Sequence, residues 1–197
     1  MKKANILNQL KEKEKDSRRH LILDAARDLF SKKDFRKVTV REISKAAGMS
    51  VGTIYNYYKN LDELFLDVFL IHAEAIIELL DNQFPEGAPL DDLCRLYITY
   101  LNENMTFYQM MSHFMISSDK TGNGIEKLDN MMRKLMDRFE FTIKSTKKAP
   151  VDSRLIAHAL FSSLNGIMIS YARYPGKTAD EILNHTLRLS QIIASIF

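Results

Sequence analysis

Cysteine and long apolar runs are scarce in this chain. Cys94 is the single cysteine among 197 residues, so no disulfide can form within the chain, and such usage fits a reducing compartment. No run of about 18 apolar residues occurs, which argues against a membrane-spanning helix. The first residues contain no apolar segment of signal-peptide length. We therefore expect a cytoplasmic protein with no membrane partner.

Proline and glycine are also rare, and they are unevenly placed. The chain has 4 Pro and 7 Gly, and neither occurs before Gly48. Later breakers cluster and divide the chain into long segments. No run alternates as a half-buried strand does, so we predict an all-α fold. Apart from a short motif described below, the expected helices span about 17–31, 60–80, 90–103, 105–118, 124–146, 151–174 and 178–196.

The residue patterns of common catalytic and metal centres are missing. There is no His-Glu-x-x-His sequence, no cysteine pair with zinc spacing and no Walker-type phosphate loop. The five histidines are scattered, and none follows a glutamate by three residues as in a di-iron bundle. We therefore predict that the protein is not an enzyme and holds no metal or cofactor.

Charge is distributed unequally along the chain. Residues 1–60 contain 15 Lys/Arg and 7 Asp/Glu, a net charge of +8. The remaining residues contain 13 and 18, a net charge of −5. A basic first third indicates that this part faces a polyanion. We predict a DNA-binding domain with a basic N-terminal arm at 1–60 and a second helical domain at 61–197.

Residues 39–58 have the pattern of a helix-turn-helix. Thr39 can cap a helix, and Glu42 stands where it completes a capping box. An apolar face with two adjacent alanines follows, and Gly48 can take the left-handed conformation that ends a helix. Ser50 can cap the next helix. The motif predicts double-stranded DNA as a partner.

The second helix of the motif carries small or hydrogen-bonding side chains, as a helix in the major groove requires. Its first residues are expected to face base edges, and Arg41 enters from the preceding helix. Thr39, Tyr55, Tyr57 and Lys59 are expected at phosphates, which position a protein without reading sequence. The complete predicted DNA-binding set is Thr39, Arg41, Ser50, Val51, Gly52, Thr53, Tyr55, Asn56, Tyr57 and Lys59.

The order of residues in this motif resembles the N-terminal domain of the TetR (tetracycline repressor) family. The resemblance covers about residues 18–66, including an upstream helix that ends in Leu29-Phe30. One departure is Leu61, where the family usually has a phosphate-binding Lys or Arg; Lys59 is the candidate substitute. The positions that carry the resemblance are Thr39, Ile43, Ala46, Ala47, Gly48, Ser50, Gly52, Tyr55 and Tyr58.

This resemblance implies a ligand-responsive repressor that binds a pseudo-palindromic operator as a homodimer. The two C-terminal helices would form the dimer interface. Small residues such as Ser162, Ser163, Gly166 and Ser170 recur along the first of them and permit close helix approach. The long helix that begins near Asn60 would link the two domains mechanically.

The second domain is rich in methionine and aromatic residues over about 45 positions. Methionine adapts to irregular cavities, and aromatic walls suit apolar or flat ligands. The same composition equally fits a plastic hydrophobic core, and only the resemblance favours a pocket for an unidentified small apolar or aromatic effector. The candidate ligand-binding residues are Tyr97, Tyr100, Phe107, Met111, His113, Phe114, Met132, Met136 and Asn165.

Two other functions stay open at this stage. One is a DNA-binding regulator of the same fold that has no small-molecule ligand, and a filled second domain would favour it. The other is a helical enzyme or carrier in which the helix-turn-helix is incidental. An acidic surface around Tyr55 would favour that alternative.

Overall fold

All regular structure in the described parts of the chain is helical. The computed structural model describes residues 2–116, 123–145 and 152–197, without the side chains of residues 2–5, 7 and 123. The predicted all-α class is confirmed for these ranges. The helices are α1 (Lys2–Lys32), a short 3₁₀ helix (Phe35–Lys37), α2 (Val40–Ala46), α3 (Val51–Tyr57), α4 (Leu61–Gln83), α5 (Leu90–Glu103), α6 (Met105–Ile116), α7 (Asn123–Lys144), α8 (Ser153–Tyr171) and α9 (Ala179–Ile196).

The first helix is longer than expected. It begins at Lys2 rather than near residue 17, because its first half contains no breaker and its alternating charges allow i,i+4 pairs such as Arg18–Glu14, at 2.6 Å. The other helix bounds lie close to the predicted ones. The predicted helix ends at 118 and 146 and the predicted start at 151 lie outside the described residues.

The chain divides into two compact units, residues 1–69 and 70–197, and the division falls within α4. In the first unit three rings form the centre of the core. Phe65 lies 5.2 Å from Phe30 and 5.3 Å from Phe35 between ring centroids, in edge-to-face geometry. The start of α4 therefore packs on α1. The functional division at residue 60 stays a prediction.

The second unit is a helical bundle in which α5 packs against α7, α8 and α9. Its centre contains the rings of Tyr97, Phe139 and Phe161, whose centroids lie 5.2 to 5.8 Å apart. All three side chains are buried. Over the described ranges, no helix combines the length and the apolar character needed to cross a bilayer.

Candidate nucleic-acid interface

The start of α2 is held by a reciprocal capping box. The Thr39 hydroxyl oxygen accepts a hydrogen bond from the Glu42 backbone N–H, and the Glu42 carboxylate accepts one from the Thr39 N–H at 2.9 Å. Lys33 Nζ donates to the same carboxylate at 2.6 Å. The bond from Lys33, together with those from Thr39, lowers the pKa of Glu42 to about 2. The carboxylate that caps α2 is therefore ionised at neutral pH.

The turn between α2 and α3 depends on a glycine. Gly48 has a φ of +65°, a conformation in which a Cβ would be strained. The Gly48 N–H donates to the Lys45 carbonyl, and the Met49 N–H donates to the Ser44 carbonyl at 2.9 Å. These two bonds form a Schellman motif that ends α2 after less than two turns. The chain can then redirect within a few residues into α3.

Helix α3 buries one residue, and its other six residues are exposed or half-buried. The Ser50 side chain caps its start by accepting from the Thr53 N–H at 3.0 Å, and Ile54 is the residue of α3 that points into the core. Tyr55 is 52% exposed, and Gly52 and Asn56 are exposed as well. This seven-residue helix therefore has a single buried anchor and leaves the rest of its surface at least partly open to solvent.

The structure sorts the predicted DNA-binding residues into three groups. Thr39 and Ser50 are exposed, but their side chains serve as helix caps. Thr53 Oγ1 lies 2.9 Å from Ser50 Oγ, so these two hydroxyls share a hydrogen bond. The half-buried members are Val51, Thr53 and Tyr57, and the remaining exposed members are Arg41, Gly52, Tyr55, Asn56 and Lys59.

Three cations of this region are available to a polyanion. Arg41, Lys45 and Lys59 are exposed, and they form no ion pair within the described parts of the chain. By contrast, Lys33 pairs with Glu42 and Arg36 with Asp34. Sequence reasoning missed Lys45, although it lies one helical turn after Arg41 and therefore on the same face of α2.

A second missed feature stabilises the end of α3. Tyr58, which follows α3, is buried, and its hydroxyl accepts a hydrogen bond from Arg19 Nε at 3.2 Å. The Arg19 guanidinium also pairs with Asp67 of α4. Burial, the leading cause, raises the pKa of Tyr58 to about 12, and the bonds from Asp67 and Tyr58 raise the pKa of Arg19. This contact joins α1, the end of α3 and α4 within the first unit.

Comparison with known proteins identifies this arrangement. Residues 22–68 match the family model of bacterial regulatory proteins of the tetR family, and this range covers the end of α1, the 3₁₀ helix, α2, α3 and the start of α4. This part of the chain is therefore similar to the N-terminal domain of the tetR family. The matched region includes the capping box, the Gly48 turn and the exposed face of α3, so the resemblance predicted from the motif is confirmed.

Proteins that are similar to this chain are transcriptional regulators. The chain is 36% identical over 99 residues to the HTH-type transcriptional regulator AcrR of Shigella flexneri, a match that covers 49% of this chain and 45% of that protein. It is 24% identical over 149 residues to the uncharacterized HTH-type transcriptional regulator YhgD of Bacillus subtilis, which covers 73% and 78%. The chain therefore spans less than half of AcrR and about three quarters of YhgD.

A solved structure extends the likeness in fold to nearly the whole chain. The transcriptional regulator FadR from Bacillus subtilis, in complex with stearoyl-CoA, superposes with a TM-score of 0.70 at 16% identity. The superposition covers 90% of this chain and 98% of FadR. At this identity the comparison establishes a common fold, which includes the helical second unit.

The predicted ligand-binding residues all lie in the second unit and occupy different environments. Tyr97 and Asn165 are in direct contact, because Asn165 Nδ2 donates to Tyr97 Oη at 3.3 Å. Tyr100 Oη donates to the His72 carbonyl at 2.8 Å, so its hydroxyl is already bonded to the backbone of α4. The buried members are Tyr97, Phe107, Met111, Met136 and Asn165, and the half-buried members are Tyr100, His113, Phe114 and Met132.

The structure adds further residues to this interior. Phe139 and Phe161 complete the ring cluster around Tyr97, and His72 lies 5.9 Å from Phe107 between ring centroids. A separate open cleft of about 490 Å³ lies where α7 ends and α8 begins. Its lining includes the ion pair between Lys144 and Glu140. None of the predicted ligand-binding residues lines this cleft.

Proposed function

We propose that the protein is a DNA-binding transcriptional regulator that acts as a homodimeric, ligand-responsive repressor on a pseudo-palindromic operator. The observation that carries the proposal is α3, which is capped at its start, anchored by Ile54 and otherwise turned outward. Arg41 and Lys45 on α2 and Lys59 just after α3 add exposed positive charge next to it in the chain. A short exposed helix with polar side chains and flanking cations suits the major groove and its phosphates.

Gly52 supports a close approach of α3 to DNA. A Cβ at this position would meet only Ser50 Oγ, at 3.8 Å, which is an ordinary contact. The fold therefore does not require glycine here, and a glycine within a helix costs about 1 kcal/mol relative to alanine. A bare backbone in the middle of the outward face is useful where another molecule comes near. Gly52 fits the predicted contact with base edges.

The distribution of polar and apolar residues on α9 supports the homodimer. Its fully buried residues are Thr186 and Ser190, each 0% exposed, whereas Ile192 and Ile196 are 58% and 69% exposed. On α8, Ile169 is 68% exposed. An apolar surface of this kind on two neighbouring helices marks an interaction site. A second copy of the same two helices would cover it symmetrically.

A small-molecule response is supported by the composition of the second unit and by the course of α4. The relative FadR holds stearoyl-CoA in its crystal structure, and this chain has an aromatic and methionine-rich interior in the corresponding fold. Helix α4 runs from Leu61 to Gln83 and so belongs to both units. A ligand that binds one position of α4 more tightly than another would shift the population of DNA-binding conformations.

Selection of duplex DNA from a random pool by the purified full-length chain tests the proposal. We expect a two-fold symmetric sequence with half-sites separated by about 34 Å, or about 10 base pairs, since two copies of α3 must enter successive major grooves. Affinity should fall steeply with salt because phosphate contacts release counterions. Recovery of an unselected pool, or an affinity that does not change with salt, would contradict DNA as the partner.

The variant Thr53→Ala separates sequence reading from general DNA binding. Thr53 is half-buried at the outer face of α3, so we expect its loss to change the preferred operator by about 1–3 kcal/mol at one base pair. Affinity for random DNA should stay within twofold of the wild type. If the variant prefers the same base as the wild type at every operator position, residues other than Thr53 recognise the bases.

Leu61→Lys tests the departure from the family pattern. Leu61 is half-buried at the start of α4, while the Lys59 side chain is exposed and its backbone N–H donates to Glu63. A lysine at 61 should restore a phosphate contact and tighten operator binding several-fold, with a steeper salt dependence. Release by a ligand should become harder, because the ligand must overcome a contact made only in the bound state. Weaker binding by a folded variant would identify Leu61 as packing.

A further inference from the structure

The interior of the second unit contains a buried carbonyl with no hydrogen-bond partner. Asn165 is 7% exposed, and its Nδ2 donates to the Phe161 carbonyl at 2.8 Å and to Tyr97 Oη. Because a backbone carbonyl can only accept, these bonds settle which atom of the amide is nitrogen. Oδ1 is then directed away from them and has no partner among the described residues.

A second unpaired polar atom lies in the same unit. Tyr108 is 6% exposed, and its hydroxyl has no hydrogen-bond partner in the described parts of the chain. The Tyr97 hydroxyl has only Asn165 and a long contact to Met111 Sδ, at 3.8 Å. Native interiors pair nearly all buried polar atoms because an unpaired one is costly. Asp91 Oδ1 and Arg138 Nε of this unit also form no hydrogen bond, but they belong to charged groups that are ion-paired with Arg95 and Asp81. The uncharged Asn165 and Tyr108 atoms have no such compensation and call for a partner from outside the chain.

The surroundings define the chemistry of that partner. The rings of Phe139 and Phe161 stand edge-to-face around Tyr97, and Met111 and Met168 are buried. Among the described residues, no fully buried side chain of this unit carries a formal charge. An anion or a cation would remain unpaired there, at a high cost in solvation. The flexible methionines can repack around a guest molecule.

We propose that this interior binds an uncharged, mostly apolar molecule that carries an O–H or N–H donor, which hydrogen-bonds to Asn165 Oδ1. The inference rests on the proposed function, because it names the class of the effector. A carboxylate has no donor to offer to Asn165 Oδ1. Phenols, alcohols and primary amides have the required chemistry.

Paired probes that differ only in the donor test the inference. Phenol and anisole form one pair, and 1-naphthol and 1-methoxynaphthalene form a larger one. Their affinities for the full-length chain are measured by titration calorimetry, with wild type and with Asn165→Leu, a substitution of similar size. We expect the wild type to bind at least one hydroxyl compound tenfold or more tightly than its ether, because the ether leaves Oδ1 unpaired. In Asn165→Leu the preference should fall to within twofold.

Several results would overturn the inference. They are equal binding of both members of each pair, no binding of any probe at millimolar concentration, or a preference that persists in Asn165→Leu. If that variant fails to fold, the Asn165 side-chain amide of the wild type is followed by NMR. Its resonances must then shift with the bound hydroxyl compound and stay in place with the matching ether. None of these assays contains DNA, so failure here and failure of the regulator proposal are separate results.

Discussion

Gly166→Leu should convert the protein into a folded monomer that binds its operator about 10²- to 10⁴-fold more weakly. Gly166 is exposed on α8, and a Cβ built on it meets nothing within 4 Å in its own chain. Leucine also favours a helix over glycine by about 1 kcal/mol. The monomer fold should therefore be unharmed, while the larger side chain separates the subunits. Without linkage, each half-site loses the advantage of high effective concentration.

Sedimentation velocity and operator titration check this expectation together. Ala75→Leu is the matched control, because Ala75 is also a small, exposed helical residue but lies on α4. Ile169→Glu offers an independent route, since it places a charge on the apolar face of α8 that is 68% exposed. The dimer model is wrong if both α8 variants sediment as dimers and keep the operator affinity of the wild type.

Tyr55→Ala should lower affinity for every DNA sequence by about 100-fold. The ring is 52% exposed and contributes little to the core, so the loss would come from its hydroxyl. One hydrogen bond to a charged phosphate contributes about 1.5 kcal/mol, and a dimer would lose two. Tyr55→Phe should reproduce most of the effect, because it removes only the hydroxyl. Fluorescence anisotropy on operator and random duplexes measures both variants.

The controls for this second prediction come from the same chain. Tyr174→Ala removes a tyrosine of similar exposure, 51%, from the second unit and should leave DNA affinity unchanged. Lys59→Ala should weaken binding to all sequences and reduce the slope of log K against log salt by about 2, one phosphate for each subunit. Unchanged affinity of Tyr55→Ala at moderate salt would mean that another face of α3 meets the DNA.

The helix-turn-helix could be predicted because its signals are local. The Thr39–Glu42 box, the Gly48 turn and the Ser50 cap each depend on residues within five positions of one another. A cap joins a side chain to a backbone N–H of the next turn, and a left-handed turn joins backbone groups of adjacent residues. Such features are visible in a sequence, and the structure reproduces them at the expected positions.

The proposed ligand-binding region was less accessible to sequence reasoning. Tyr97 and Asn165 were predicted together, although they are 68 positions apart. The sequence could not distinguish Tyr100, whose hydroxyl bonds the His72 carbonyl, from a residue free to meet a ligand. Phe139 and Phe161 contact Tyr97 only through the packing of α5, α7 and α8. Contacts between distant helices depend on crossing geometry, which composition does not encode.

The sequence by itself determined the helical class, the DNA-facing motif and the charge difference between the two parts of the chain, because caps, breakers and charge act over short distances. Only the tertiary structure decided which apolar residues remain uncovered. It buries Thr186 and Ser190 of α9 and leaves Ile192 and Ile196 exposed, the reverse of what hydrophobicity alone predicts. Thr186 is buried because it accepts a hydrogen bond from Asn102 of α5 at 3.2 Å. Likewise, Asn165 Oδ1 is buried without a hydrogen-bond partner in the described parts of the chain, and such burial arises only when distant segments pack together.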